Sequence, residues 1–219
     1  MTKETTTKVV HVYFLLDRSG SMNQLTDDVI GGFNAFRKEQ ITDDVTTLMT
    51  FVQFDSQDSQ SMLTRALDIR EVPELTTATY VPRGGTPLYD AMGELIATAR
   101  IRHDACGGAE DVIFVVFTDG HENDSDEYDR EKIFTLVEKS QQLGWTFVFL
   151  GANQDSYAEG GRIAFDRRSI QNFDASADGV SRAFRSTSRA LLREKGKIAH
   201  GVGRTPRDFF EGDKEAEQQ

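Results

Sequence analysis

Four short apolar runs leave this chain few ways to fold. They are VVHVYFLL at 9–16, TTLMTFVQF at 46–54, VIFVVFT at 112–118 and WTFVFL at 145–150. Each is rich in β-branched and aromatic residues and too short for a buried helix, so each reads as a strand. The third is the most apolar and belongs at the centre of a sheet, covered on both faces. Between the runs the apolar residues change period. Over 25–41, Val29, Ile30, Phe33 and Phe36 share one face of a helix. Gly31 and Gly32 lower its propensity and allow close packing against the sheet. A second helix over 87–101 opens at Pro87, where a missing N–H is no loss, and aligns Leu88, Ala91, Met92, Leu95, Ile96 and Ala99. A third over 131–143 stops at Gly144. A weaker strand at 170–173 and a last helix over 176–192, with Val180, Ala183, Phe184, Thr187 and Leu191 inward, complete the pattern. Residues 60–63 read as a short edge strand.

Strands alternating with helices imply right-handed crossovers. The expected class is α/β: a doubly wound, mostly parallel, Rossmann-like sheet with one short antiparallel edge strand and helices on both faces. Its 219 residues suit one domain. No apolar run approaches the ~20 residues that span a bilayer, and no export signal or disulfide is legible, since Cys106 is the single cysteine. The expected location is therefore the cytoplasm. Cys106, beside Gly107 and Gly108, reads as a small loop residue.

The net charge of −11 is unevenly spread. Residues 181–219 hold nine basic and six acidic side chains, and the remainder is strongly acidic. An acidic body disfavours nucleic acid and suits a cation. Arg182, Arg185, Arg189, Arg193, Lys195 and Lys197 read as a solvated face of the last helix, with a docking surface as the sharper alternative. Residues 1–7 and 205–219 read as flexible termini, the latter as a frayed charged tail.

In doubly wound sheets, ligands bind beyond the carboxyl ends of the strands. Three polar segments fall there: Asp17-Arg18-Ser19-Gly20-Ser21 after the first strand, Gly84-Gly85-Thr86-Pro87 before the second helix, and Thr118-Asp119-Gly120 after the central strand. Taken singly, such residues are caps and turn formers. Together Asp17, Ser19, Ser21, Thr86 and Asp119 supply two carboxylates and three hydroxyls. An all-oxygen set suits Mg²⁺, Mn²⁺ or Ca²⁺, with Mg²⁺ the first expectation, rather than zinc or copper.

These segments resemble the metal-ion-dependent adhesion site of von Willebrand factor type A domains, also called integrin inserted domains. Asp17, Ser19 and Ser21 match the family's Asp-x-Ser-x-Ser. Thr86 in GGTPLYDA and Asp119 in FVVFTDG match its distant Thr and Asp. The resemblance spans residues 8–195. It implies that Ser19, Ser21 and Thr86 approach the metal through hydroxyls, and that Asp17 and Asp119 bind it directly or through water. It implies that a Glu or Asp of a partner protein takes the open coordination position. The absence of disulfide and signal is similar to bacterial cytoplasmic members, including those of tellurium-resistance-type and ATPase-associated systems. Such members act as adaptors, which implies a partner in an ATPase-associated or stress-resistance complex, and neither nucleic acid nor membrane.

Two other readings compete. A phosphohydrolase using Asp17 as nucleophile would need a second Asp two residues on, where Ser19 stands. A serine hydrolase or phosphate-binding ATPase lacks its motif, so the chain reads as no enzyme. A scaffold whose metal merely ties loops together is the second alternative. Around the site, His121, Glu122, Asn123, Asn153 and Asp155 read as solvated loops or rim residues. Asp90 reads as a cap, Asp55 has no family role, and Arg18 and Arg83 flank the site, attracting a carboxylate if they point inward.

Overall fold

The computed structural model describes residues 8–42, 44–152, 156–202 and 207–217. Six strands form one sheet: β1 (Val9–Asp17), β2 (Thr46–Asp55), β3 (Asp58–Asp68), β4 (Glu110–Thr118), β5 (Thr146–Ala152) and β6 (Ile170–Phe173). Their order is β3-β2-β1-β4-β5-β6. All neighbours are parallel except β2 and β3. The helices are α1 (Thr26–Glu39), α2 (Leu88–Ala105), α3 (Arg130–Gln141), α4 (Ser156–Arg162) and α5 (Ala177–Ala199). The strand order reverses between β1 and β4, which makes that crevice the switch point of the fold.

The pleat of β1 sorts the core. Val10, Val12, Phe14 and Leu16 face one layer with α1 and α5 residues such as Phe33, Phe36 and Phe184. Tyr13 and Leu15 face the other, with Leu88, Leu95, Ile133 and Val137 of α2 and α3. Both faces of β1 are therefore apolar, as a central parallel strand requires. Phe14 meets Phe33 edge-on with ring centroids 5.5 Å apart, a favourable aromatic geometry. Gly32 is where α1 meets α5 rather than the sheet: a Cβ there would lie 2.3 Å from the Phe184 ring. Gly31 has open space instead.

Several elements differ from expectation. The antiparallel edge strand β3 is eleven residues long, not four. Its polar sequence pairs along β2 through bulges that blur the alternation. The seven-residue α4, with two glycines, has no legible period. Helix α5 continues to Ala199 because Ile198 adds another buried turn.

The charged tail is not frayed where it is described. Residues 207–217 fold back along α5, burying Phe209, Phe210 and Ala216. Basic residues on α5 at four-residue spacing meet alternate acids of the tail. Arg185 pairs with Glu215 at 2.8 Å, Arg189 with Asp213 at 3.1 Å and Arg193 with Asp213 at 3.1 Å. Lys197 pairs with Glu211. The tail reaches the sheet edge, where the Asn172 N–H donates to Glu217 Oε1 at 2.8 Å. Arg182 pairs with Asp178, and Lys195 is buried and donates to the Gln40 carbonyl. The basic stripe of α5 is thus largely occupied from within. Among the described residues, no helix is long and apolar enough to cross a membrane.

Candidate metal centre

The switch point gathers all three polar segments. Asp17 ends β1 and is fully buried. The Ser19 N–H donates to its Oδ1 at 2.6 Å, and the Thr118 hydroxyl to its Oδ2 at 2.5 Å. The Tyr80 hydroxyl donates to the Asp17 carbonyl at 2.8 Å. A chain of hydroxyls then runs outward. Ser19 Oγ lies 3.1 Å from Ser21 Oγ, and Ser21 donates to Asp119 Oδ1 at 2.7 Å. Thr86 closes the ring: a Cβ on Gly120 would lie 2.9 Å from Thr86 Oγ1 and 3.7 Å from Asp17 Oδ2. Asp17, Ser19 and Thr86 are buried, Asp119 is half-buried and Ser21 is exposed. The five side chains therefore form a cup with a closed floor and an open mouth.

Backbone hydrogen bonds hold the loops in place. The Gly20 N–H donates to Gly84 O at 3.0 Å, Arg83 N–H to Arg18 O at 2.9 Å, and Ser56 N–H to Gly85 O at 3.2 Å. Gly84 has φ +66°, and a Cβ on it would meet Ser56 Oγ at 2.5 Å, so this position needs glycine twice over. The Thr86 N–H donates to Asn123 Oδ1 at 2.9 Å, and the Asn123 N–H returns to Thr86 O. Glu122 accepts from the Tyr89 N–H at the start of α2 and from the N–H groups of Asp124 and Ser125. Asp90 accepts from the N–H groups of Asp126, Glu127 and Tyr128. Asp90 is thus a capping group, and Glu122 and Asn123 brace the site rather than line a free rim. Asn153 and Asp155 lie outside the described residues.

The two flanking arginines pair with Asp55 rather than with the cup's carboxylates. Arg18 turns beneath the loop, donating to Asp55 Oδ2 at 2.7 Å and to Gln53 Oε1 at 3.2 Å. Arg83 donates to the same Asp55 oxygen at 3.0 Å. Asp55, fully buried, is the anchor that draws both guanidiniums away from the cup.

The consequence is electrostatic. Among the described residues, no basic side chain pairs with Asp17 or Asp119. Burial pushes the Asp17 carboxyl up to about 7, against the hydrogen bonds from Thr118 and Ser19 that favour its charged form. Burial also raises Asp119, against the Ser21 hydrogen bond. Two crowded carboxylates with three hydroxyls and no basic counter-charge fit a hard divalent cation. Among the described residues, no group of three or more His, Cys, Asp or Glu side chains offers a metal site. A cation held here therefore depends on the hydroxyls. Thr118 stands in the third polar segment, but its role as the donor that fixes Asp17 was not legible. It lies next to Asp119, but a threonine ending a strand reads as an ordinary β-former.

No protein-family model matches the sequence, and no curated protein does. Solved structures do match. One is proximal thread matrix protein 1 from the mussel byssus with a zinc-occupied MIDAS motif, at TM-score 0.58 and 16% identity over 88% of this chain and 48% of that one. Another is the manganese-loaded TRAP protein of Plasmodium vivax, at TM-score 0.54 and 20% identity over 76% of this chain and 69% of that one.

The fold is von Willebrand factor A-like.

At such identities the likeness is one of fold, and the chain spans about half the length of the mussel protein. Within that A-like fold, Asp17, Ser19, Ser21, Thr86 and Asp119 stand together at the switch point because β1 and β4 are neighbours there.

Proposed function

We propose that this chain is a divalent-metal-dependent protein-binding module of the adhesion or adaptor kind. The observation that carries the reading is the hydrogen-bonded chain Ser19–Ser21–Asp119 set above a buried Asp17 that no basic side chain among the described residues neutralises. Asp17, Ser19, Ser21, Thr86 and Asp119 would hold the cation, with Mg²⁺ first and Mn²⁺ or Ca²⁺ as alternatives. When bound, it would supply a positive centre able to accept a carboxylate from an Asp or Glu of a partner protein. Thr118 and the Ser19 N–H fix the Asp17 carboxylate, and Asn123 fixes the Thr86 backbone. The cup's exposed mouth leaves one side to an external ligand.

The chain is read as no enzyme. Both Asp17 oxygens are engaged within the protein, and Ser19 stands where a phosphohydrolase would carry its acid. A cytoplasmic place in an ATPase-associated or stress-resistance complex remains part of this proposal.

The test is thermal unfolding of chelator-stripped protein during titration with each cation, for wild type and Asp119→Ala. A ligand at ~100 times its dissociation constant adds roughly 2.7 kcal/mol. For a chain of this size that is a rise of about 5–10 °C. We expect a saturable rise in wild type and its loss in Asp119→Ala, whose residue lies at the open mouth and leaves the core intact. An equal rise in both, or none in wild type, overturns the reading.

A further inference from the structure

The end of the sheet away from the metal centre holds a concavity of about 320 Å³ between α2 and the first strands. That volume is at the lower end of the range for small-molecule sites, ~300–1,000 Å³. Tyr13 and Thr50 come from the sheet, and Thr98, Ile101 and Ala105 from the last turns of α2. Two guanidiniums, Arg65 and Arg102, complete the lining.

Its polar groups are unequally engaged. The Thr50 hydroxyl donates to His11 Nε2 at 2.9 Å and accepts the Ala66 N–H at 3.0 Å. Arg102 grips Glu110 through Nε at 2.9 Å and Nη2 at 2.5 Å. Tyr13 is only 1% exposed, yet its hydroxyl has no hydrogen-bond partner among the described residues, nor has that of Thr98. Burial keeps the Tyr13 phenol protonated, so it stands ready to donate. Among the described residues, the exposed Arg65 guanidinium meets Met62 Sδ, at 3.3 Å, and no carboxylate.

The backbone is strained to place Arg65 there. The β2–β3 register slips between Met49↔Leu67 and Phe51↔Thr64, and Ala66 sits at φ +48°. A non-glycine residue in that region is held by its surroundings, here the Thr50 hydroxyl. The charges of Arg65, Arg102 and Glu110 leave one positive charge in excess.

We propose that this cavity binds a small organic monoanion with an apolar body, such as a carboxylate on an aryl or short alkyl chain. Arg65 pairs with the carboxylate, the Tyr13 hydroxyl donates a hydrogen bond, and Ile101, Ala105 and the Thr98 methyl cover the apolar body. The site shares no residue with the metal centre and stands or falls separately from it.

The test is a titration of isotope-labelled protein with phenylbutyrate, and in parallel with phenylbutanol, followed by amide NMR. We expect saturable shifts around Tyr13, Thr50, Arg65 and Ile101, with the acid binding more tightly than the alcohol. Loss of the charge-assisted hydrogen bond in Arg65→Gln should weaken the acid about tenfold and spare the alcohol. Ile101→Glu, at a position 74% exposed and safe for the fold, should weaken the acid likewise. No saturable shift at these residues, or undiminished acid binding by Arg65→Gln, overturns the proposal.

Discussion

His11 is the most deeply buried of the described imidazoles, with no exposed surface. Its Nδ1 lies 2.9 Å from Glu110 Oε2, and its Nε2 accepts from Thr50. Burial outweighs the Glu110 carboxylate and lowers its pKa from 6.5 to about 4. Because the folded value is depressed, the unfolded chain takes up the proton first as pH falls. The stabilisation is complete above pH 6.5 and is lost on acidification toward 4. Between pH 7.5 and 5 the loss from this residue is about 2 kcal/mol. Urea unfolding at both pH values should show that dependence in wild type, and His11→Asn should lose it. An unchanged pH slope in the variant would show that His11 titrates normally. At this scale the candidate site was legible because Asp17, Ser19, Ser21 and Asp119 stand beside strand ends in the sequence itself and Thr86 stands just before α2. The turning of Arg18 and Arg83 onto Asp55 was not, because that pairing exists only once β1, β2 and the Gly84 loop are adjacent.

Helix α5 and the tail form a unit whose two halves look unrelated in sequence. Alone, 207–217 has the composition of a disordered segment, and its order comes from the complementary face of α5 and from two phenylalanines. These contributions differ in size. Exposed ion pairs contribute ~0–1 kcal/mol each, whereas truncating a buried phenylalanine costs about 3–5 kcal/mol. Phe210→Ala should therefore lower stability by about 3 kcal/mol, and Arg189→Gln by under about 1 kcal/mol. Denaturant unfolding of the two variants checks the ranking, and an equal loss in both would mean that charge, not apolar burial, seats the tail. The same logic explains β3. Alternation identifies a strand only when its pairing is regular, and the bulges at Arg65 and Ala66 break it.

At the scale of the whole molecule, the order of strands and helices was legible because a buried parallel sheet demands continuous apolar runs, and four stand out. The position of the functional edge followed from topology rather than from any single residue. Long-range electrostatics follow from the tail. With the main basic stripe spent on the chain's own acids, an excess of eleven negative charges faces the surroundings. On the proposed function, an acidic partner must climb that potential before its carboxylate reaches the cup. Added salt shortens the reach of the repulsion, from ~30 Å at 0.01 M to ~8 Å at 0.15 M. Stopped-flow association with such a partner should therefore quicken as salt rises, and slowing would show that the approach is steered by attraction. The molecule would then select for a lone carboxylate carried on a neutral or basic surface, since a uniformly acidic one is turned away before contact.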